Sequence, residues 1–246
     1  MNANGKTLGI IILFAMLISP GCKKSTGSSP DTRPTVRDND GNVYHLVTVG
    51  SQVWMVENLR VKHYRNGDPV QDGSGIKHPQ VADTTGTFWA YENNSGYIAD
   101  YGLLYNWYAA SDKRNIAPQG FHVPSDDDWG ALVSSLGGDY YYVLGDSIAG
   151  GKLKEAGNDH WGSAGDPRTN VGATNSSNWT GRPGGILYQG IFEDIRDFGA
   201  WWASTSLTGV QKDEGYEMVL SFMTKGASRG ANLKASGLSV RCVKDH

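Results

Sequence analysis

The sequence lacks any strong excess of charge of one sign. Its 246 residues include 22 Lys and Arg against 25 Asp and Glu, and charged residues make up only 19% of the chain. A protein that binds nucleic acid through the phosphates needs a basic face, which this balance does not supply. The composition therefore argues against a nucleic acid as partner, and an aromatic content of 11% argues against intrinsic disorder.

Cysteine is scarce, and the apolar run near the N-terminus is short. The two cysteines are Cys22 and Cys242. The apolar run extends over eleven residues, Leu8 to Ile18, whereas a transmembrane helix needs about 20. This run is therefore too short to cross a bilayer.

Sequence signatures of catalysis are missing as well. The chain contains no HExxH pair, no phosphate-binding loop of the Walker type and no GxGxxG. The histidines at 45, 63, 122 and 160 do not have a metal-binding spacing. We interpret His122 and His160 as framework residues that make hydrogen bonds, so no catalytic, cofactor-binding or metal-binding residue is predicted.

Glycine and aromatic residues are abundant. The 33 glycines amount to about 13% of the chain, against roughly 7% in an average protein, and they are accompanied by 8 Trp and 12 Tyr. This combination favours turns and packed loops over long helices. The length allows one large domain or two small ones, with a sizeable core in either case.

The N-terminus has the pattern of an export signal. Lys6 supplies a positive charge ahead of the apolar run, whose length is typical of a signal peptide. The following Gly21-Cys22 resembles the lipobox of bacterial lipoproteins, which implies cleavage before Cys22 and attachment of diacylglycerol to its sulfur. The alternative is an ordinary cleaved signal peptide, in which Cys22 is incidental.

These features divide the chain into three segments. They are a lipoprotein signal peptide over 1–21, a flexible tether over 22–35 and a folded domain over 36–246. The membrane is an expected partner, bound through lipid on Cys22, because two or three acyl chains anchor a protein stably. We expect the protein at the outer membrane or at another envelope membrane.

Alternating and continuous apolar patterns predict strands in the domain. A hairpin is expected where Val43–Val49 and Gln52–Val56 flank a Gly-Ser turn. Three closing strands are expected over 198–205, 216–223 and 237–243.

Two helices are predicted by apolar spacing. The first is a buried helix over Tyr101–Ala110. The second extends over Ser125–Leu136, where Ser125 caps the first turn and Asp128 follows three residues later.

Nine short motifs, in order along the chain, resemble a known family. They are Asp40–Tyr44, Val53–Leu59, Tyr101–Trp107, Pro118–Ser125, Gly150–Glu155, Gly172–Asn175, Pro183–Gly185, Trp201–Thr205 and Leu238–Val243. On these motifs, roughly residues 36 to 245 resemble the major paralogous domain first described in Fibrobacter succinogenes and common in the envelopes of Bacteroidetes.

The resemblance implies a fold. The family is similar in turn to the C-type-lectin-like fold and to that of the formylglycine-generating, sulfatase-modifying enzymes. It implies a single α+β domain with small antiparallel sheets, about two helices and long structured loops.

Ala117 departs from the family pattern. Relatives carry a cysteine at this position, so the resemblance implies that a disulfide to the C-terminal strand is missing here. Leu238, Val240 and Cys242 alternate along that strand, and we therefore expect Cys242 to be a buried, reduced thiol.

The sequence favours a binding module over an enzyme. The formylglycine-generating enzymes use a pair of cysteines, and this chain keeps one after lipidation of Cys22, so the resemblance does not support that chemistry. We expect a non-catalytic, monomeric binding or adhesion domain that recognises a glycan or a protein at the bacterial surface. The alternatives are a structural envelope component without a specific ligand and an enzyme of the formylglycine-generating type.

Aromatic side chains are the candidates for ligand contact. Stacking on a glycan is a possible role for Trp89, Tyr91, Trp161, Trp179 and Trp201, and the alternative is that they pack inside the domain. The calcium-binding tripeptides of C-type lectins do not occur. No cofactor is therefore expected, with calcium as the alternative.

Overall fold

The computed structural model describes Met1 and residues 31–76, 79, 82–140, 148–162 and 170–245. Cys22, the predicted signal peptide and most of the predicted tether lie outside the described residues. The chain divides into two compact units, Met1–Thr32 and Arg33–His246. All helices and strands of the described residues belong to the second unit, and none of these helices is long and apolar enough to span a bilayer.

The described chain forms many short elements. The strands are β1 (Thr35–Arg37), β2 (Val43–Val49), β3 (Gln52–Met55), β4 (Gln71–Asp72), β5 (Thr87–Trp89), β6 (Leu104–Tyr105), β7 (Phe121–His122), β8 (Ile186–Tyr188), β9 (Ile191–Glu193), β10 (Phe198–Ser206), β11 (Glu214–Ser221), β12 (Ala227–Leu233), β13 (Leu238–Ser239) and β14 (Val243–Lys244). The helices are α1 (Ile98–Tyr101), α2 (Trp107–Ala110), α3 (Asp126–Ser135) and α4 (Ala149–Leu153). The domain is therefore α+β, as expected, although its helices are more numerous and shorter than the two predicted.

The first sheet has the strand order β1-β2-β3-β14-β7. β2 and β3 pair antiparallel with Val49 opposite Gln52, and the turn between them contains Gly50 with a φ of 60°. This confirms the predicted hairpin. Thr35, assigned to the tether by the sequence, is the first residue of β1 and pairs with His45.

The second sheet has the order β12-β11-β10-β13-β6-β5-β4 and is antiparallel except at two strand pairs. β10 is buried on both faces: Ala200 and Trp202 pack in one hydrophobic cluster, and Trp201 and Ala203 pack in another. Burial on both faces explains why this strand is a continuous apolar run in the sequence. The strands predicted over 198–205 and 216–223 are confirmed as β10 and β11.

α3 confirms the helix predicted after Ser125. The hydroxyl of Ser125 accepts a hydrogen bond from the backbone N–H of Asp128 at 3.1 Å, and the Asp128 carboxylate accepts one from the backbone N–H of Ser125 at 2.8 Å. These reciprocal bonds satisfy two N–H groups that a helix leaves without partners. Three large apolar side chains of the helix are fully buried: Trp129, Leu132 and Val133.

The helix predicted over Tyr101–Ala110 is wrong. α1 ends at Tyr101, β6 follows, and α2 begins only at Trp107. Gly102 has a φ of 76° and a ψ of −159°, a conformation open to glycine that ends the helix. A β-carbon on Gly102 would lie 2.8 Å from that of Asn58, so the glycine also lets these two backbones approach each other closely.

The last predicted strand is two strands in two sheets. β13 belongs to the second sheet and β14 to the first, and the chain passes between the sheets at Val240, Arg241 and Cys242. The carbonyls of Val240 and Cys242 accept backbone hydrogen bonds from Leu59 at 2.8 Å and Met55 at 3.0 Å. Since packing surrounds this segment, both of its sides are buried.

Cys242 is a free, fully buried cysteine. Burial raises the pKa of its thiol far above the ordinary range. The expectation of a buried, reduced thiol is confirmed. Ala117 is also buried and belongs to the same hydrophobic cluster as Cys242.

Candidate functional site

Two polar side chains are buried where the segment after β3 meets the segment between β13 and β14. Asn58 is 4% exposed and Arg241 is 1% exposed. Arg241 Nη2 and Nε donate hydrogen bonds to Asn58 Oδ1 at 2.7 and 3.2 Å. Arg241 Nη1 donates to the carbonyl of Trp179 at 2.6 Å, and the guanidinium carbon lies 3.8 Å from the Trp179 ring centroid. Asn58 and Arg241 thus form a fixed polar pair.

The amide of Asn58 also connects this pair to other elements. Its Nδ2 donates to the carbonyl of Tyr101 at 2.9 Å, and its Oδ1 accepts a hydrogen bond from Trp201 Nε1 at 2.9 Å. Asn58 therefore joins α1, β10 and the C-terminal segment. Buried polar groups that are fully bonded in this way specify one arrangement of the surrounding chain.

A cleft of about 260 Å³ has this pair in its lining. Ala99 and Thr180 contribute to its wall. Besides Arg241, the charged side chains of the lining are Arg33, Arg60, Arg182, Glu57 and Asp100. Four arginines and two carboxylates meet here, so the described lining carries a formal excess of positive charge.

Ion pairs fix one wall of the cleft. Arg182 Nε donates to Glu155 Oε1 at 2.9 Å, and its Nη1 donates to Asp100 Oδ1 at 3.1 Å. His160 Nδ1 lies 2.6 Å from Glu155 Oε2, and His160 Nε2 lies 3.6 Å from Asp100 Oδ1. The predicted framework role of His160 is confirmed, because its ring is held between two carboxylates.

His122 has the same kind of environment elsewhere in the domain. Its Nδ1 lies 2.8 Å from Asp245 Oδ1, and its Nε2 lies 3.3 Å from Asp128 Oδ2. The carboxylates of Asp128 and Asp245 raise the pKa of His122 above its ordinary value. Its predicted framework role is confirmed, since it connects β7 to α3 and to the C-terminal end of the chain.

Lys154, which precedes Glu155 in the sequence, connects two loops of the domain through hydrogen bonds. Its side chain is buried, and Nζ donates to the carbonyls of Val171, Ser221 and Thr224 at 2.9, 3.0 and 2.7 Å. Burial lowers the pKa of Lys154 to about 8. The neighbouring Glu155 N–H donates to the carbonyl of Gly181 at 3.0 Å, which places Arg182 beside the Glu155 carboxylate.

The aromatic residues proposed for ligand contact are core residues. Trp161 and Trp179 have no exposed surface, and Trp89 and Tyr91 expose 2% and 5%. A sugar stacks on an exposed aromatic face, which these side chains do not present. That prediction is therefore corrected: Trp179 supports Arg241, and Trp161 Nε1 donates to the carbonyl of Gly181 at 2.7 Å. The related candidate Trp201 is likewise fully buried.

Other depressions on the described surface include a groove and a shallow pocket. A groove of about 700 Å³ on the first sheet includes the apolar side chains of Val36, Leu46 and Val53. A depression of about 460 Å³ has Trp89 and Phe192 in its lining. The cleft at Arg241 differs from both, because its lining includes a buried charged group that is held by hydrogen bonds.

The chemistry offered by the cleft consists of charge and hydrogen bonds. Within residues 31–76, 79, 82–140, 148–162 and 170–245, no three His, Cys, Asp or Glu side chains are grouped so that they could hold a metal ion. The buried thiol of Cys242 belongs to a hydrophobic cluster and does not line the cleft. The described groups are therefore suited to binding a polar ligand.

Sequence reasoning missed the centre of this site. Asn58 and Arg241 lie within two of the recognised motifs, but neither was singled out. The available signal was a polar residue inside a largely apolar motif: Asn58 lies between Glu57 and Leu59 after the apolar run Val53–Val56, and Arg241 lies between Val240 and Cys242. Alternation along a strand would direct Arg241 to solvent, and only the crossing between the two sheets buries it.

Comparison with known proteins gives one match. The family model described as the Fibrobacter succinogenes major domain matches residues 47–244, about four fifths of the chain. The matched range includes Asn58, Asp100, Arg182 and Arg241. No curated protein and no solved structure matches the chain.

Proposed function

Since the chain belongs to the Fibrobacter succinogenes major domain family, we propose that it is a non-catalytic binding protein of the bacterial cell envelope. A lipid on Cys22 holds it at the outer membrane or another envelope membrane. The domain takes its ligand, a glycan, in the cleft lined by Asn58, Arg182 and Arg241.

The observation that carries this proposal is the fixed floor of the cleft. Asn58 and Arg241 are buried and locked by hydrogen bonds to each other and to the backbone. Polar groups that are oriented before the ligand arrives lose little conformational entropy on binding.

The size of the cleft favours a glycan over a protein as ligand. A specific protein interface buries roughly 1,200–2,000 Å² in total and is broad, with an apolar centre. The cleft has a volume of about 260 Å³ and a charged lining. A small concave site rich in charged donors and acceptors fits one sugar residue and its hydroxyl groups.

The test is glycan binding by the full-length lipoprotein, purified in detergent and applied to a glycan array with calcium or with a chelator. Ala99 is exposed and lines the cleft, so Ala99→Phe fills the cleft without disturbing the core. We expect at least one glycan to bind, independently of calcium, and Ala99→Phe to lower this binding at least tenfold.

The matched control is Ala231→Phe, which enlarges an exposed alanine on β12 outside the cleft. This variant should bind like the wild type. Absence of binding to every glycan, equal binding by Ala99→Phe, or hydrolysis of a bound glycan would each contradict the proposal.

A further inference from the structure

We propose that the cleft recognises a carboxylate group, and that its ligand is an acidic saccharide ending in a uronic acid residue. This inference rests on the proposed function and specifies the ligand class. It depends on the hydrogen bonds that Arg60, Arg182 and Arg241 and the two carboxylates of the lining already make.

Arg241 is a buried cation whose hydrogen bonds to the described residues go to neutral groups. Its acceptors are the amide oxygen of Asn58 and the carbonyls of Trp179 and Thr180. Burial lowers the pKa of Arg241 to about 9, so the guanidinium is still charged at neutral pH. Among the described residues, no carboxylate is in contact with the Arg241 guanidinium. An anion in the cleft would therefore compensate its positive charge.

Arg60 is a second arginine of the lining with neutral partners. Its Nε donates to Asn42 Oδ1 and its Nη2 to the carbonyl of Val43, both at 3.3 Å, and its guanidinium lies over the ring of Tyr44 at 5.3 Å. The side chain is only partly buried. It can therefore reach a ligand while its present bonds keep it oriented towards the cleft.

The two carboxylates of the lining are already engaged. Glu57 accepts a hydrogen bond from the backbone N–H of His45 at 2.8 Å and lies 2.6 Å from His45 Nδ1. Asp100 accepts from Arg182 at 3.1 Å. The lining contains four arginines and two carboxylates. The arginines are still in excess when Glu155, the other partner of Arg182, is added to the carboxylates. A concave site with walls of one dominant sign attracts a ligand of the opposite charge.

The remaining groups select a sugar acid among anions. A guanidinium donates charge-assisted hydrogen bonds to a carboxylate, and these are stronger than its bonds to neutral oxygen atoms. Glu57, Asp100 and Thr180 add oxygen atoms that accept hydrogen bonds from hydroxyl groups, which a uronic acid offers and a bare anion lacks. The cleft, at about 260 Å³, is below the roughly 300–1,000 Å³ of pockets for drug-sized ligands, so it takes a single terminal residue.

The experiment compares matched pairs of immobilised oligosaccharides. One member of each pair ends in glucuronate, galacturonate or mannuronate, and the other is the same oligosaccharide with the carboxylate reduced to an alcohol. We expect the full-length lipoprotein in detergent to bind at least one acidic member at least tenfold more tightly than its reduced partner. Added salt should weaken this preference.

Two variants, each of which removes one positive charge, test the role of the cleft. Arg60→Gln should lower binding of the acidic member at least tenfold. Arg37→Gln removes the same charge from an exposed position outside the cleft and should bind like the wild type. Circular dichroism of both variants checks that they are folded.

The outcomes separate this inference from the proposed function. Binding of neutral glycans that Ala99→Phe abolishes, without preference for the acidic members, would overturn the inference and leave the proposed function standing. Competition by inorganic phosphate as strong as competition by free glucuronate would assign the site to anions in general and overturn the saccharide assignment. No binding of any glycan would contradict both.

Discussion

Asn58 determines the arrangement of the cleft at the scale of one residue. Its Oδ1 accepts hydrogen bonds from Trp201 and from two nitrogens of Arg241, and its Nδ2 donates to Tyr101. No apolar side chain of similar size can replace these bonds. Loss of the amide would leave a buried cation without its main acceptor.

We predict that Asn58→Ala lowers the free energy of unfolding by about 2–4 kcal/mol, because buried donors that lose their acceptor keep their desolvation cost. Urea unfolding followed by tryptophan fluorescence measures the effect. The control Asn66→Ala, at an exposed turn, should change stability by less than about 0.5 kcal/mol. Equal unfolding midpoints for the two variants would contradict the role of Asn58.

Glu217 is a buried carboxyl group in β11. It is 6% exposed, its Oε2 has no hydrogen-bond partner in the described structure, and burial raises its pKa to about 7 from an ordinary value of 4.5. Between these two pH values the folded state holds a proton that the unfolded state has lost. Stability therefore falls as the pH rises from about 4.5 through 7.

Glu217→Gln should remove the part of the pH dependence of stability that Glu217 causes. We expect the variant to match the wild type near pH 5 and to exceed its stability at pH 8 by about 1–3 kcal/mol, because the amide remains neutral. Urea unfolding at both pH values measures this, with the exposed Glu193→Gln as control. A pH dependence that is the same in wild type and Glu217→Gln would refute the assignment.

Cys242 and Ala117 test the implied disulfide position. In the Cys22→Ser background, Cys242 should react slowly with a thiol reagent in native buffer and rapidly in urea, because it is buried. Ala117→Cys should form a disulfide with Cys242 after oxidation. The bond closes a loop of about 126 residues and would stabilise the fold by roughly 5 kcal/mol at most, reduced by any strain. Two free thiols in the oxidised, folded variant would show that these positions are not neighbours.

At the scale of elements, the short helix α4 depends on glycine for its packing. A β-carbon on Gly150 would lie 1.8 Å from the carbonyl oxygen of Gly226, so the helix backbone lies directly against that turn. The N–H of Gly151 donates to the carbonyl of Lys225 at 2.8 Å across the same contact. The approach positions Lys154, at the end of this helix, among the loops that it joins.

Gly150→Ala should therefore lower the free energy of unfolding by about 3 kcal/mol, because backbone atoms must move to make room. The control Gly75→Ala has nothing within 4 Å of the added carbon and no positive φ, and should be nearly neutral. Urea unfolding midpoints of both variants give the comparison. A nearly neutral Gly150→Ala would mean that α4 does not contact the turn at Gly226.

At the scale of the whole molecule, the proposed location in the envelope depends on the lipid proposed for Cys22. We predict that Cys22→Ser abolishes labelling by a clickable palmitate analogue in the native host and releases the protein from membranes. Cys242→Ala, which removes the buried thiol instead, should keep both the label and the membrane fraction. Unchanged labelling and fractionation of Cys22→Ser would contradict lipidation.

The sequence was sufficient where neighbouring residues decide the structure. The β2–β3 hairpin and the capped helix α3 were predicted because a turn, a cap and an apolar stripe each lie within about a dozen residues. The family was also evident, because nine motifs occur in order. The helix predicted over 101–110 failed since apolar spacing does not report the conformation of Gly102.

The tertiary structure decided the site. Asn58, Asp100, Arg182 and Arg241 come from four distant parts of the sequence, and they meet only because the chain crosses from the second sheet to the first at Arg241. Trp179 and Trp201, which composition suggested for ligand contact, belong to a hydrophobic cluster of the core and have no exposed surface. The sequence by itself determined local elements and family membership, whereas burial and charge pairing depend on long-range contacts that no local pattern encodes.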